Sequence, residues 1–334
     1  MKTPYFSIYI PTYNNSLTIA STIKSVLGQT FKDFEIIIRD DNSKDDTLAI
    51  LRKFHDSRLI INKNKSNQGY SNNLNYSLTD CHSDNIILLA GDDLLDKHTL
   101  QWYYNVYQSN PKVGAITRPY YWFDSDYRVP VRFKKTITGK GNLLVNTKSS
   151  ITDIFLILST LDQCSGLSFK RNLTKQKFDD DPWISHAYPW LDIFKNHSVA
   201  FLKNYPLAVF IGNSATRSNI YQRSPMISWK NMIDKIFFEK KFNKLKREIT
   251  KNFIAINYIG LVQIKNYGSL KSYFKEVYYL VKLRPSNLLN LKFWIVFIIT
   301  LLTPSKLLRI LTDKFKSKIY TNFINEKIVI DLSQ

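Results

Sequence analysis

Two adjacent carboxylates, Asp92 and Asp93, follow the apolar run IILLA after a single glycine, Gly91. An apolar run that ends in acids reads as a buried strand whose carboxyl end opens into a polar crevice, where open α/β sheets bind their ligands. Neighbouring side chains on an extended strand point to opposite faces, so both acids can serve one site only where the chain turns, at Gly91. Hard divalent cations take oxygen ligands, and Mg2+ or Mn2+ is typically held by one or two carboxylates with substrate phosphates completing the shell. The chemistry suggested is a metal-bound diphosphate. Taken alone, an acid pair is more often a helix cap or a solvated loop.

Two further polar clusters stand at comparable places. Pro11-Thr12-Tyr13-Asn14-Asn15 follows FSIYI, and Asp40-Asp41-Asn42-Ser43 follows FEIIIR. They converge with the acid pair if each apolar run is a strand of one parallel sheet, and the intervening sequence supports that. Ser16 reads as the N-cap of a helix over Leu17 to Thr30, Asp45 to Phe54 as a second helix, RLIIN as a short strand and Tyr70 to Leu78 as a third helix. NIILLAG is the fourth strand, a helix follows Asp96, and VGAITR is a further strand. This alternation implies a largely parallel sheet with helices on both faces and right-handed crossovers. Pro119 to Ser150 is irregular and reads either as a binding loop or as an edge hairpin. A helix from Ile151, the strand GLSFK, an aromatic-rich helix after Pro182 and the strand SVAFL complete the same domain.

With 334 residues, 44% hydrophobic and 14% aromatic, the chain can bury a sizeable core, which excludes a disordered protein. Cys81 and Cys164 have no His or Cys at ligand spacing, so neither a disulfide framework nor a zinc site is indicated and a reducing, cytoplasmic setting fits. The first residues, MKTPYFSIYIP, hold too short an apolar stretch for a signal peptide, so export is not expected. The formal charge of +20 is uneven: from Trp229 to Gln334, 20 Lys and Arg stand against 7 Asp and Glu. That region reads as basic amphipathic helices such as LKSYFKEVYYLVKLRP. Within it, Phe293 to Leu302 is strongly apolar but much shorter than the roughly 20 residues a spanning helix needs, so it reads as a core or interfacial helix. Basic amphipathic helices suit an anionic membrane surface; a packed helical appendage is the alternative.

Taken in order, FSIYIPTYNNSLTIASTIKSVLGQTFKDFEIIIRDDNSKDDT, NQGYSNNLNYSL and LLAGDDLLD resemble the family 2 glycosyltransferases of the GT-A fold, strongly over residues 5 to 120 and loosely over 150 to 215. The strand followed by P-T-Y-N, the Q-T-F linker, the D-D-x-S turn and N-x-G are each weak alone and specific together. The resemblance implies an α/β, GT-A nucleotide-diphospho-sugar transferase fold, a Rossmann-like mixed, mostly parallel sheet over residues 1–225, with a helical C-terminal extension over 226–334. It implies inverting transfer of a sugar from a nucleotide-diphospho-sugar donor to an acceptor hydroxyl. Carried over by position, Pro11, Thr12 and Tyr13 line the nucleotide pocket, Asp41 hydrogen-bonds the base with Asp40 supporting the turn, and Asn67 and Gly69 lie near the nucleotide. Asp92 and Asp93 match the end of a D-x-D-D motif and would hold Mn2+ or Mg2+ on the diphosphate, neutralising the leaving group. Ala90 replaces the first Asp of that motif, leaving the ion fewer protein ligands.

Inverting transfer also needs a general base. The family places an Asp, often after Glu, at the start of a helix about a dozen residues before a strand, and counting back from SVAFL puts Ser185 and His186 there. A histidine, with an unperturbed pKa of about 6.5, can accept a proton at neutral pH. Asp192, six residues on, is the competing candidate. The implied acceptor is a glycan or polyprenyl-linked oligosaccharide used for a bacterial surface polysaccharide, O-antigen or capsule, with the enzyme peripheral at the inner face of the cell membrane. Two rivals fare worse. A nucleotidyltransferase would carry a Gly-rich basic loop where this chain has PTYNNS. A nucleic-acid-binding protein would show a reader motif, and none is present, so nucleic acid is not an expected partner.

Overall fold

The computed structural model describes residues 3–134, 136–137, 139, 141–212, 219–321 and 328–332. Two compact units emerge: Met1–Asp180 with Ser185–Gly212 and Ile324–Gln334, and Asp181–Ile184 with Asn213–Phe323. The units part earlier than the expected boundary at 225/226, and the end of the chain returns to the first. The return has a packing cause, because Ile328 and Ile330 are buried against Leu94, Tyr121, Phe123 and Ala208.

In the first unit, β1 (Phe6–Thr12), β2 (Phe34–Asp40), β3 (Leu59–Lys63) and β4 (Asn85–Leu88) lie parallel in the order β3-β2-β1-β4. β10 (Ser168–Lys170) then runs antiparallel between β4 and β6 (Val113–Thr117), followed by β11 (Ser198–Phe201), parallel to β6, and β9 (Leu143–Val145), antiparallel at the edge. The sheet is therefore mixed and mostly parallel. The central strands β1 and β2 are buried on both faces, as strands inside a parallel sheet require. On one face Ile8, Ile10, Ile36, Ile38 and Ile87 pack with Ile19, Ile23 and Val26 of α1 (Ile19–Leu27), whose apolar residues recur at helical spacing.

Local detail departs from the sequence reading at two helices, while the Pro119–Ser150 segment takes the hairpin of its two readings. Ser16 does not cap α1: the Thr18 and Ile19 N–H groups both donate to the Asn15 carbonyl (3.0 and 2.9 Å), so an asparagine turn precedes the helix. The expected helix over Tyr70 to Leu78 is split into α3 (Tyr70–Asn75) and α4 (Ser77–Asp80). The irregular Pro119–Ser150 segment contributes a hairpin, β7 (Tyr121–Phe123) against β8 (Arg132–Phe133), to a second sheet of order β5-β12-β7-β8, with β5 (Leu94–Leu95) and β12 (Leu207–Phe210). The remaining helices of this unit are α2 (Thr47–Leu51), α5 (Thr99–Ser109), α6 (Ile151–Ser159) and α7 (Ala187–Asn196).

The Q-T-F linker has a visible task. The fully buried Gln29 side chain donates to the Ser25 carbonyl (3.0 Å) and the Asp96 carbonyl (2.7 Å) and accepts from Leu100 N–H (3.0 Å), fixing the end of α1 to the segment after β5. The returning C-terminus grips the same segment: Lys97 N–H donates to the Asp331 carbonyl (2.9 Å) and Asp331 N–H to Asp96 Oδ2 (2.7 Å).

The second unit is helical, with α8 (Pro225–Ile236), α9 (Asn243–Ile249), α10 (Leu261–Tyr267), α11 (Leu270–Leu283), α12 (Leu291–Leu302) and α13 (Ser305–Thr321). Ser224, Ser269 and Asn290 cap α8, α11 and α12 by accepting from backbone N–H groups of the first turn. Among the described residues no helix is long and apolar enough to cross a membrane.

If the C-terminal return is structural, Ile330→Ala should lower unfolding free energy by about 2 kcal/mol or more. Urea denaturation checks this; an unchanged midpoint would show that the return adds nothing.

Candidate active site

The loops at the carboxyl edge of β1, β2 and β4 are joined by specific hydrogen bonds. Asn14 N–H donates to Ser43 Oγ (2.9 Å), Lys44 N–H to Asn14 Oδ1 (2.8 Å) and Asn15 N–H to Thr47 Oγ1 (2.8 Å). Asn14 and Asn42 have positive φ, 53° and 64°, a region asparagine tolerates better than most residues. Thr12 is buried and its carbonyl accepts from Asp41 N–H (2.8 Å), whereas Tyr13 is exposed and Pro11 half-buried. Asp40 turns back on its own loop, accepting from Ser43 N–H (3.1 Å) and from the Ser43 hydroxyl.

Asp41 organises the N-x-G segment. Its Oδ1 accepts from Asn64 Nδ2 (2.8 Å) and Gln68 N–H (2.7 Å), and its Oδ2 from Gly69 N–H (2.9 Å). Asn67 Oδ1 accepts from the same Gly69 N–H (3.1 Å). Gly69 has φ 81° and ψ 163°, a backbone conformation that a residue with a Cβ adopts only under strain. Three donors converge on one carboxylate, leaving part of its lone-pair capacity open.

At the end of β4 the chain turns at Gly91, where an added Cβ would stand 2.9 Å from Asn15 Oδ1. The Gly91 carbonyl accepts from Thr18 Oγ1 (2.9 Å). This close approach locks the acid pair to the loop after β1. Asp93 points inward: it is 2% exposed, its Oδ2 accepts from Ser165 Oγ (2.5 Å) and its Oδ1 from Phe210 N–H (2.9 Å). Ser165 Oγ in turn accepts from Ala90 N–H (2.8 Å). Asp92 is the more open of the two. Burial pushes both carboxyls above their ordinary range, and the charge of Asp92 pushes Asp93 further up, while Ser165, Phe210 N–H and the Arg118 guanidinium partly counter that.

His186 immediately precedes α7 and is 5% exposed. Its Nε2 lies 2.8 Å from the Leu161 carbonyl, which can only accept, so Nε2 carries the proton. In the neutral ring Nδ1 is then the acceptor, and the Tyr70 hydroxyl stands 3.3 Å from it. Asp192 is not brought to this cluster. It accepts from Thr174 Oγ1 (2.8 Å) and pairs with Lys195 (3.6 Å). Thr174 follows the end of β10, which lies opposite the start of β4, and Ile193 packs at Gly114, near the start of β6. Asp192 therefore lies toward the other edge of the sheet.

Among the described residues no group of three or more His, Cys, Asp or Glu could hold a metal ion. Two adjacent carboxylates whose burial disfavours their charge nevertheless fit a hard cation that takes most of its shell from substrate phosphates.

Residues 7–166 match Glycosyl transferase family 2. Over 218 residues, 64% of this chain and 67% of the relative, the chain is 36% identical to the GalNAc(5)-diNAcBac-PP-undecaprenol beta-1,3-glucosyltransferase of Campylobacter jejuni. The chain belongs to glycosyltransferase family 2. Its GT-A fold is shared with S. aureus TarS 1–349 in complex with UDP-GlcNAc (TM-score 0.65, 16% identity, 84% of this chain and 82% of that one). The mannosyltransferase PcManGT from Pyrobaculum calidifontis, in complex with GDP-Man and Mn2+, is similar at TM-score 0.51 and 14% identity, over 86% of this chain and 88% of that one. At these identities the likeness is one of fold.

This glycosyltransferase also places at the site three residues that the sequence reading did not single out. Ser165 links Ala90 to Asp93, and Tyr70, directly after the N-x-G motif, reaches His186. Tyr70 is 42% exposed as a residue; burial of its hydroxyl, then Cys164 and the two acids, push its pKa well up. Arg118 is wholly buried and donates to the carbonyls of Thr160 (3.1 Å), Gln163 (2.9 Å) and Ser165. Only its position at the end of VGAIT, a charge closing an apolar strand, could have flagged it.

Asp41→Ala would remove three hydrogen bonds at once, leaving only the Gly69 N–H a second acceptor in Asn67 Oδ1, and should cost about 2 to 3 kcal/mol. Hydrogen exchange should accelerate at the Gln68 and Gly69 amides; unchanged protection there would mean that the loop is held by something else.

Proposed function

We propose that the enzyme transfers a hexose from a UDP-sugar, with inversion, to a hydroxyl of a polyprenyl-diphosphate-linked glycan at the cytoplasmic face of a membrane. The observation that carries the reading is the acid pair Asp92–Asp93, locked by Gly91 to the loop after β1 and beside the Asp41–Gly69 loop. UDP is favoured because TarS binds UDP-GlcNAc, and the lipid-linked acceptor because the C. jejuni relative is named for one.

In this reading Pro11, Thr12 and exposed Tyr13 line the nucleotide pocket. Asp41 meets the base with its remaining lone pairs, Asp40 fixes the turn, and Asn67 and Gly69 border the nucleotide. Asp92 offers the open carboxylate for a divalent ion, Mn2+ or Mg2+, and Asp93 supplies buried negative charge beside it. When bound, the ion neutralises charge on the departing diphosphate. The acceptor hydroxyl forms a new bond to the anomeric carbon as the bond to phosphate breaks, and its proton must leave. His186 receives that proton at Nδ1. Because the Tyr70 hydroxyl stands against Nδ1, the proton reaches His186 through Tyr70, which donates its own proton to Nδ1 and takes the acceptor's. Asp192, bound to Thr174 and Lys195, is left a structural role.

The test is turnover of UDP-glucose and UDP-N-acetylglucosamine with Mn2+ and a synthetic polyprenyl-diphosphate glycan, with products resolved by mass spectrometry. His186→Gln and Tyr70→Phe should each lower kcat by about 10²- to 10⁴-fold, and Asp192→Asn should leave it nearly unchanged. Full activity in His186→Gln would remove the assigned base. No transfer from any UDP-sugar would remove the donor assignment.

A further inference from the structure

Helix α12 has a buried side and, opposite it, an exposed apolar side. Phe293 and Thr300 are buried, and Thr300 Oγ1 lies 2.7 Å from the Tyr273 hydroxyl of α11. On the other side Leu291, Trp294, Ile295, Ile298, Ile299 and Leu302 are 38% to 74% exposed. At 3.6 residues per turn these six fall within an arc of about 140°, with the buried pair opposite. The start of α13 repeats the pattern, with Leu307, Ile310 and Leu311 exposed and Leu308 buried. Single exposed apolar side chains are ordinary; a continuous face of them on a helix that already has a buried face marks an interaction surface.

We propose that this face of α12 docks on an anionic phospholipid bilayer, lying in the plane of the interface. The helix is twelve residues long, about 18 Å, too short to cross a hydrocarbon core of about 30 Å. The exposed Lys292 on α12 and Lys306 on α13 border the apolar face, in a region where 20 Lys and Arg stand against 7 Asp and Glu. That surplus matches anionic headgroups and opposes a second copy, which would bring the same charge against itself. Trp294, whose indole N–H donates to the Leu288 carbonyl (2.8 Å), has the amphipathic side chain that favours the headgroup level. The inference deepens the lipid-linked acceptor reading and rests on it for its purpose, since a docked enzyme meets a substrate confined to the same surface.

The experiment is co-sedimentation of the full chain with extruded vesicles of phosphatidylglycerol or of phosphatidylcholine, with no donor or acceptor present. The wild type should partition onto phosphatidylglycerol about tenfold or more above phosphatidylcholine. Ile298→Ser with Ile299→Ser should reduce partitioning on both lipids by about tenfold or more, with UDP binding unchanged. Lys292→Glu with Lys306→Glu should reduce binding to phosphatidylglycerol alone. Wild type left in the supernatant, or equal partitioning of the serine variant, would overturn the proposal. Self-association in sedimentation velocity that depends on Ile298 and Ile299 would overturn it in favour of a second copy. Because the assay contains no sugar nucleotide, its failure leaves the transferase reading intact, and a failed transfer assay leaves vesicle binding intact.

Discussion

The carboxylate of Asp93 is buried and held at two points, by Ser165 Oγ and by Phe210 N–H. Those two contacts draw together the turn after β4, the segment entering β10 and the strand β12 of the second sheet, partners 72 and 117 residues away in sequence. A charge in such a place is costly unless it is compensated. Arg118, wholly buried and bonded to the Ser165 carbonyl, supplies part of the compensation from behind, and a divalent ion held by Asp92 and a diphosphate would supply the rest from in front. The proposed ion and diphosphate would complete an electrostatic arrangement that the protein's own groups only partly balance.

The same logic explains the neighbouring motifs. Each conserves local order around a carboxylate rather than a side chain aimed at open solvent: Asp40 closes the turn of its own loop, and Asp41 gathers Asn64, Gln68 and Gly69. Gly69 adopts a positive φ to present its N–H to Asp41, and Gly91 lacks a Cβ where one would collide with the Asn15 side chain. Backbone donors already order these loops, so the proposed nucleotide would not have to order them on binding.

Strands β1, β2 and β4 were legible because they are continuous apolar runs buried on both faces, and the acid clusters because they stand where those runs end. The family followed from motifs whose order along the chain mirrors their adjacency in space. Less was legible where contacts span long separations. The antiparallel entry of β10 between β4 and β6, which carries Ser165 to Asp93, leaves no trace in local periodicity. Tyr70 lies next to a motif, yet its value comes from His186, 116 residues away. The split of the helix after Gly69 and the shift of the α1 start from Leu17 to Ile19 are overrides of propensity by the surrounding hydrogen bonds. The return of Ile328 and Ile330 to the first unit rests on contacts with residues more than a hundred positions away, which local composition does not record.

The central claim is that the acid pair at the end of β4 binds a metal-diphosphate. It is tested most directly by calorimetric titration of UDP with and without Mn2+ into the wild type, Asp92→Asn and Asp93→Asn, with thermal unfolding as the control for folding. The account predicts that Mn2+ tightens UDP binding in the wild type by about tenfold or more and that this gain is lost in folded Asp92→Asn and weakened in Asp93→Asn. Retention of the full Mn2+-dependent gain in both folded variants would contradict it.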